Sequence, residues 1–231
     1  SMCDIYVMDA FATSHRAHAS TAGVIYSAKD SCGGFLLKQE LTALNKVNKE
    51  ERRPSIAVLG GAKISTKLEL INSLAKKMDK VILGGGIANT CLAAQGFEVG
   101  TSLIEEDMLS QARDLAIKDN VILPSHVVVA NSVDSISRVA KINEIKHNEA
   151  IFDIAPESFL LVESIISSAK IILWNGPMGL FERKQFMAGT SSIARMIADS
   201  NAFSVGGGGD TIAAAEEIGI PKVTDFNTGD N

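Results

Sequence analysis

A small set of charged and polar side chains beside glycine-rich turns could act on phosphate groups. The set consists of Lys63, Lys67, Asn175, Glu182 and Asp210. Together with glycine backbone amides, these side chains suit phosphoryl transfer, in which catalysis is mostly positioning and charge stabilisation. The sequence offers no obvious general base, and none is needed when an acyl phosphate already carries the transferable group.

The most glycine-rich of these turns is Gly206-Gly207-Gly208-Gly209, which follows a short apolar run. Four glycines in a row carry a conformational entropy cost, and they indicate a backbone that must come close to something. We expect Asp210 to be a helix N-cap and Thr211 to open the helix, whose N-terminus would attract an anion. The alternative is a tight strand-to-helix turn that is only capped by an aspartate, since single glycine motifs are weak evidence.

The same pattern of an apolar run followed by glycine occurs three more times. The three runs lead into Gly60-Gly61, Gly84-Gly85-Gly86 and Asn175-Gly176-Pro177. Continuous apolar runs are typical of strands that are buried on both faces. Because ligands of open α/β sheets bind outside the carboxyl ends of the strands, four such turns predict one binding edge.

Two lysines follow the first of these turns. We expect Lys63 and Lys67 to lie at a helix start and, being four residues apart, to project on the same side. Two cations there oppose the helix dipole and repel each other, by some tenths of a kcal/mol each. A bound polyphosphate would make both charges favourable, so the pair is a candidate phosphate site, although two ordinary surface lysines remain the alternative.

Composition narrows the function classes. The chain has 231 residues, 46% of them hydrophobic, and a net charge of −5, so it gives no indication of a nucleic-acid or membrane-surface partner. Its three cysteines lack zinc or CxxC spacing and predict reduced thiols in a cytoplasmic protein. The Walker and GxGxxG patterns are absent, which disfavours P-loop enzymes and ordinary Rossmann dehydrogenases.

The order of apolar segments predicts three regions. Residues 1–34 look unlike the rest and are too few to bury a core alone, residues 35–53 are expected to form a connecting helix, and residues 54–231 show an alternation of strands and helices. That alternation predicts an α/β fold with a mostly parallel sheet and helices on both faces. The polar stretch at 132–148 is expected to be a loop. His15, Arg16 and His18 form an anion-binding loop or, alternatively, a solvated one.

In combination, these motifs resemble the phosphoglycerate kinase family. The resemblance covers essentially the whole chain, in the family's order and with family-like spacing. Its motifs are Asp9-Ala10-Phe11 with His15-Arg16-Ala17-His18, Gly60-Gly61-Ala62-Lys63 with Lys67, Gly84-Gly85-Gly86, Trp174-Asn175-Gly176-Pro177-Met178-Gly179 with Glu182, and Gly207-Gly208-Gly209-Asp210-Thr211. It implies a Rossmann-like nucleotide-binding domain at 54–231, joined by the helix at 35–53 to a second, substrate-binding α/β domain. Residues 1–34 would be a remnant of that second domain.

The resemblance also implies a role for each matching residue. Lys63 would stabilise the transferring phosphoryl group, with Arg16 as a second catalytic residue, and His15 and Arg16 would bind 3-phosphoglycerate. Glu182 would accept the ribose hydroxyls, and Asp210 would hold Mg²⁺ on the nucleotide. The implied nucleotide-binding residues are Gly61, Ala62, Lys67, Gly85, Gly86, Asn175, Pro177, Glu182, Gly208, Gly209, Asp210 and Thr211.

The implied reaction is reversible phosphoryl transfer from 1,3-bisphosphoglycerate to ADP, which yields 3-phosphoglycerate and ATP in glycolysis. Much of the family's substrate-binding domain is expected to lie upstream of Ser1. We therefore expect a monomer that binds MgADP or MgATP but has little kinase activity alone. The alternatives are a nucleotide-binding module without kinase activity, and an unrelated α/β enzyme that uses the glycine turns for another phosphorylated ligand.

Overall fold

Strands and helices alternate along most of the chain. The computed structural model describes residues 4–10, 13, 17–47 and 53–219. The strands are β1 (Ile5–Met8), β2 (Asp30–Gly33), β3 (Ser55–Leu59), β4 (Lys80–Leu83), β5 (Val121–Ile122), β6 (His126–Ala130), β7 (Arg138–Lys141), β8 (Ala150–Ile154), β9 (Ile171–Asn175) and β10 (Phe203–Gly206). The α-helices are α1 (Val24–Ser27), α2 (Phe35–Val47), α3 (Leu68–Lys77), α4 (Gly85–Ala94), α5 (Leu109–Ala116), α6 (Phe159–Ser168), α7 (Ala188–Asp199) and α8 (Gly209–Ile218).

The central sheet has the strand order β10-β9-β3-β4-β5, and all of its neighbouring strands are parallel. From β3 the chain proceeds through β4 to β5 on one side, whereas β9 and β10 extend the sheet on the other side. The strand order therefore reverses between β3 and β9. In open α/β sheets, ligands bind outside the carboxyl ends of the strands at such a reversal.

Both faces of this sheet are covered by helices, as predicted. Ile56 and Val58 of β3 belong to a buried cluster with α6, α7 and α8. Ala57 and Leu59 point the other way, into a cluster with α3, α4 and α5. Successive side chains of a strand alternate between its faces, so an uninterrupted apolar run is what a strand buried on both sides requires.

A second sheet is antiparallel and has the strand order β7-β6-β8. Its strand β7 shows that one prediction was wrong. The stretch at 132–148 was expected to be a loop, but it contains β7. The polar composition of β7 concealed the strand, because only Ala140 of its residues is buried. Arg138 at its start donates hydrogen bonds of 2.8 and 2.7 Å to the two carboxylate oxygens of the buried Glu149.

The N-terminal region is built on the parallel pair of β1 and β2, followed by α2. The Asp9 carboxylate accepts a hydrogen bond from the backbone N–H of Leu37 at 2.7 Å and so joins the end of β1 to the first turn of α2. The domain boundaries at 34 and 53 stay predictions. Within the described part of the chain, no helix is both long and apolar enough to cross a bilayer.

Candidate nucleotide site

The carboxyl ends of β3 and β9 are joined directly at the reversal of the strand order. The Gly60 N–H donates to the Asn175 carbonyl oxygen at 3.0 Å, and the Gly61 N–H donates to that of Pro177 at 3.1 Å. A side chain at Gly60 would collide with the Pro177 carbonyl group. The Gly60-Gly61 turn and the Asn175-Gly176-Pro177 turn, which are the first and third glycine turns along the chain, therefore pack backbone against backbone. Glycine at position 60 is required for that approach.

Lys67 contacts this junction, and the helix that follows begins later than the sequence predicted. The helix α3 begins at Leu68, so Lys67 is its N-cap residue and Lys63 lies in the preceding turn rather than on the helix. The half-buried Lys67 amine donates hydrogen bonds to the carbonyl oxygens of Gly60 at 2.8 Å and Asn175 at 3.1 Å. Burial lowers the pKa of Lys67, and the negative charge of Asp210 opposes this shift.

Lys63, by contrast, is exposed at the start of a tight turn. The Thr66 hydroxyl donates to the Lys63 carbonyl oxygen at 2.9 Å, and the Lys67 N–H donates to that of Ile64 at 3.0 Å. The Ile64 side chain is fully buried and anchors the turn in the core. No described carboxylate forms an ion pair with Lys63, so its amine is available to a ligand.

The second glycine turn, Gly84-Gly85-Gly86, places the N-terminus of α4 against the Gly60-Gly61 turn. The Ile87 N–H donates to the Gly61 carbonyl oxygen at 3.3 Å, and the Gly85 N–H donates to that of Met178 at 2.9 Å. Gly85 has a φ of 60°, in the left-handed region, and a side chain at Gly86 would collide with the Ala62 carbonyl group. The three turns thus form one continuous backbone surface.

The fourth turn differs in detail from the prediction. Gly208, with a φ of 91°, is the N-cap of α8, and Asp210 is exposed in the first turn of that helix instead of capping it. Asp210 can still favour the helix through its dipole. The buried Thr211 hydroxyl accepts a hydrogen bond from the Gly176 N–H at 2.6 Å and donates one to the Gly207 carbonyl oxygen at 2.7 Å. It therefore links the third turn to the fourth.

A cavity of about 680 Å³ opens beside these turns. This volume lies within the range of about 300–1,000 Å³ that is usual for small-molecule sites. The predicted site residues that line it are Gly61, Ala62, Gly85, Gly86, Pro177, Glu182 and Asp210. The described site residues that do not line it are Lys63, Lys67, Asn175, Gly208, Gly209 and Thr211.

Comparison with known proteins identifies the family. The family model for phosphoglycerate kinase matches residues 1–229. The chain belongs to the phosphoglycerate kinase family. It is 47% identical over 230 residues to the phosphoglycerate kinase of Baumannia cicadellinicola, covering 99% of this chain and 59% of that protein. It is also 47% identical over 232 residues to that of Haemophilus influenzae strain PittGG, covering 99% and 60% of the two chains.

Solved phosphoglycerate kinase structures have the same fold. The structure from Coxiella burnetii matches with a TM-score of 0.91 and 43% identity, covering 98% of this chain and 60% of that one. The structure from Pyrococcus horikoshii matches with a TM-score of 0.86 and 32% identity, covering 98% and 59%. The chain therefore spans about 60% of the length of the phosphoglycerate kinases that it resembles.

Two sequence predictions made from phosphoglycerate kinase motifs fall outside the described residues. They are the assignment of His15 and Arg16 to 3-phosphoglycerate and the presence of Arg16 in the catalytic set. For the metal, the described residues include no cluster of three or more His, Cys, Asp or Glu side chains. Mg²⁺ is usually held by one or two carboxylates together with substrate phosphates, so a carboxylate such as that of Asp210 at the cavity wall fits a nucleotide-bound ion.

The sequence interpretation missed the part of the cavity wall that comes from the antiparallel sheet. This part includes Val127 of β6 and Ala150, Ile151, Phe152 and Asp153 of β8. Asp153 is 1% exposed, and its carboxylate accepts hydrogen bonds from the backbone N–H groups of Ile154 at 2.9 Å and Gly189 at 2.7 Å. A carboxylate within an apolar strand was the available signal for this residue. The other wall residues carry no chemical signal in a single sequence.

Proposed function

We propose that this chain provides the nucleotide side of a phosphoglycerate kinase and binds MgADP or MgATP in the cavity beside the reversal of the strand order. The observation that carries the proposal is the Lys67 amine, held by two carbonyl groups where β3 and β9 end. The exposed Lys63 lies four residues before it. Glycine-lined backbone with two nearby cations is suited to a polyphosphate.

We assign different roles to the two lysines because they differ in burial. Lys67 is half-buried and fixed, so it would hold a nucleotide phosphate at a defined position. Lys63 is exposed and forms no ion pair with any carboxylate that the structure describes, so its amine can follow the phosphoryl group during transfer and stabilise its charge. Glu182 at the cavity wall would accept the ribose hydroxyls, and Pro177 would line the pocket. Asn175, which does not line the cavity, would contribute through the turn that it forms with Pro177. Gly208, Gly209 and Thr211 would bring the start of α8 to the phosphates.

Mg²⁺ would be held by Asp210 together with the nucleotide phosphates, and when bound it would neutralise phosphate charge. The exposed Asp210 carboxylate is in the first turn of α8 and lines the cavity. Its charge also acts on Lys67. A carboxylate and an amine that influence each other in this way would suit a metal-bound polyphosphate.

The complete enzyme would transfer a phosphoryl group reversibly from 1,3-bisphosphoglycerate to ADP. An acyl phosphate is already activated, so the chain needs positioned cations rather than a general base. His15 and Arg16 would contribute to the 3-phosphoglycerate side. We further propose a monomer in the cytoplasm, in keeping with the reduced thiols predicted there, and no nucleic-acid or membrane partner.

Titration calorimetry of the purified chain with ADP, with and without Mg²⁺, tests the proposal. We expect a Kd between about 10 μM and 1 mM, which corresponds to about 4–7 kcal/mol. Lys63→Ala is expected to weaken ADP binding, and turnover by the chain alone is expected to be low. A folded chain that fails to bind millimolar ADP would contradict the proposal. Unchanged ADP affinity in Lys63→Ala would mean that Lys63 takes no part in binding the nucleotide phosphates.

A further inference from the structure

The turn that carries Lys63 and Lys67 is held by hydrogen bonds to one carboxylate from a distant part of the chain. Glu105, 40 residues later in the chain, accepts a hydrogen bond from the backbone N–H of Ser65 at 2.8 Å and one from its hydroxyl at 2.5 Å. Ser65 lies midway between the two lysines. The carboxylate therefore holds the middle of the turn through both a backbone and a side-chain contact.

Glu105 is itself fixed to the second glycine turn. Its backbone N–H donates to the Thr90 hydroxyl at 3.3 Å, and that hydroxyl donates to the Gly86 carbonyl oxygen at 2.8 Å. Thr90 is fully buried in α4. Hydrogen bonds thus run from Ser65 through Glu105 and Thr90 to Gly86, and they connect the lysine turn to a wall of the cavity.

The charge of Glu105 is maintained by the same contacts. Partial burial raises the pKa of this carboxyl group, but hydrogen bonds from Ser65 and Ile64 and the positive charge of Lys63 outweigh that effect and bring the pKa below its ordinary value. An ionised carboxylate only accepts hydrogen bonds, and such charge-assisted bonds are stronger than neutral ones. Lys63 feels this charge without forming an ion pair with it.

We propose that Glu105 is a positioning residue that keeps the Lys63–Lys67 turn in the conformation in which both amines reach the nucleotide phosphates. This inference rests on the proposed function, because it assumes that the two lysines act on phosphate. It assigns Glu105 no contact with the ligand.

Removing Glu105 is expected to change the affinity for ADP in two opposite ways, and this makes the proposal testable. Loss of a negative charge near a phosphate site would strengthen ADP binding by reducing repulsion. Loss of the tether would weaken ADP binding, because a lysine turn with more freedom pays more conformational entropy on binding. If Glu105 acts by positioning, weakening prevails, and it is confined to ligands that carry phosphate.

The experiment compares ADP and adenosine binding, in Mg²⁺, for the 231-residue chain and its Glu105→Ala and Glu105→Gln variants. Glu106→Ala is the matched control, because this neighbouring carboxylate is exposed and no hydrogen bond or ion pair is seen for it in the described structure. We expect Glu105→Ala to weaken ADP binding about tenfold and to leave adenosine binding within about twofold. Glu105→Gln keeps one acceptor oxygen and should lie between Glu105→Ala and the unmodified chain.

The outcomes separate the inference from the proposed function. If the unmodified chain binds no ADP, the proposed function fails and the inference fails with it. If the unmodified chain binds ADP, but Glu105→Ala strengthens that binding or weakens ADP and adenosine equally, only the positioning role is overturned. A second variant, Ser65→Ala, removes the hydroxyl contact alone, and it should weaken ADP binding by less than Glu105→Ala does.

Discussion

The amine of Lys67 donates a hydrogen bond of 3.1 Å to the carbonyl oxygen of Asn175, which lies 108 residues later in the chain. The same amine also donates to Gly60 at 2.8 Å. These contacts join the carboxyl ends of β3 and β9, where the strand order of the central sheet reverses. Lys67 is therefore both a structural residue of the fold and a candidate ligand for phosphate. Lys63 has no such structural contacts through its amine in the described structure, so its proposed role is confined to the bound ligand.

This difference predicts that the two lysines respond differently to substitution. Lys67→Met should lower the free energy of unfolding by about 1–3 kcal/mol, because hydrogen bonds from a charged donor are lost. Lys63→Met should change it by no more than about 0.5 kcal/mol, as is usual for exposed positions. Both variants should bind ADP more weakly. Urea unfolding and calorimetry measure the two effects, and equal losses of stability would contradict the distinction.

A second prediction concerns Asp210, which lies in the first turn of α8 but is not its N-cap. Asp210→Asn should lower stability by no more than about 1 kcal/mol, the usual size of a charge–dipole interaction. The gain in ADP affinity on adding Mg²⁺ should largely disappear, because the proposed metal ligand is lost. ADP titrations with and without Mg²⁺ measure that gain. If it persists while the free energy of unfolding falls sharply, Asp210 has a structural role only.

The sequence predicted those parts of the fold that depend on local signals. The apolar runs before Gly60 and Gly84 correctly indicated buried strands, and the glycines correctly marked the ends of those strands. The order of the strands could not be predicted in this way, because pairing depends on contacts between distant segments. The Lys67 contact with Asn175 is of this kind, and it is invisible before β3 and β9 are known to be neighbours.

The candidate site was likewise only partly visible in the sequence. Asp210 was expected to cap α8, but the positive φ of Gly208 moves the cap two residues earlier. Glu105 was not among the predicted site residues, because nothing in a sequence indicates its contact with Ser65. The cavity wall formed by β6 and β8 was missed for a similar reason, because a sequence does not show that these strands lie beside the glycine turns.

A third prediction tests the close packing of the glycine turns. A Cβ atom at Gly86 would collide with the Ala62 carbonyl group, whereas one at Gly207 would meet only the Asn175 side-chain amide at 3.3 Å. Gly86→Ala should therefore lower the free energy of unfolding by about 1–3 kcal/mol, the usual cost of overpacking. Gly207→Ala is the matched control and should cost less. Thermal unfolding measures both, and an equal or larger loss in Gly207→Ala would contradict the packing argument.

The buried Asp153 carboxyl group couples folding to pH. Burial raises its pKa to about 7, even though hydrogen bonds from the Gly189 and Ile154 N–H groups act in the opposite direction. Its ordinary value is 3.8, so between these two pH values the folded chain holds a proton on Asp153 that the unfolded chain releases. Stability falls with rising pH wherever the folded state binds more protons than the unfolded state. Asp153 therefore makes the fold less stable as pH rises from about 4 to 7.

The fourth prediction is that Asp153→Asn removes this dependence. Its neutral amide does not titrate, so the unfolding free energy of the variant should fall less steeply between pH 5 and pH 7 than that of the unmodified chain. The difference should approach about 1 kcal/mol per pH unit, the order of magnitude for one group that is protonated in the folded state and ionised in the unfolded state. Urea unfolding at several pH values measures both slopes. Asp114→Asn, at an exposed position in α5, is the control and should leave the slope almost unchanged. Parallel slopes for Asp153→Asn and the unmodified chain would mean that Asp153 stays ionised in the folded protein.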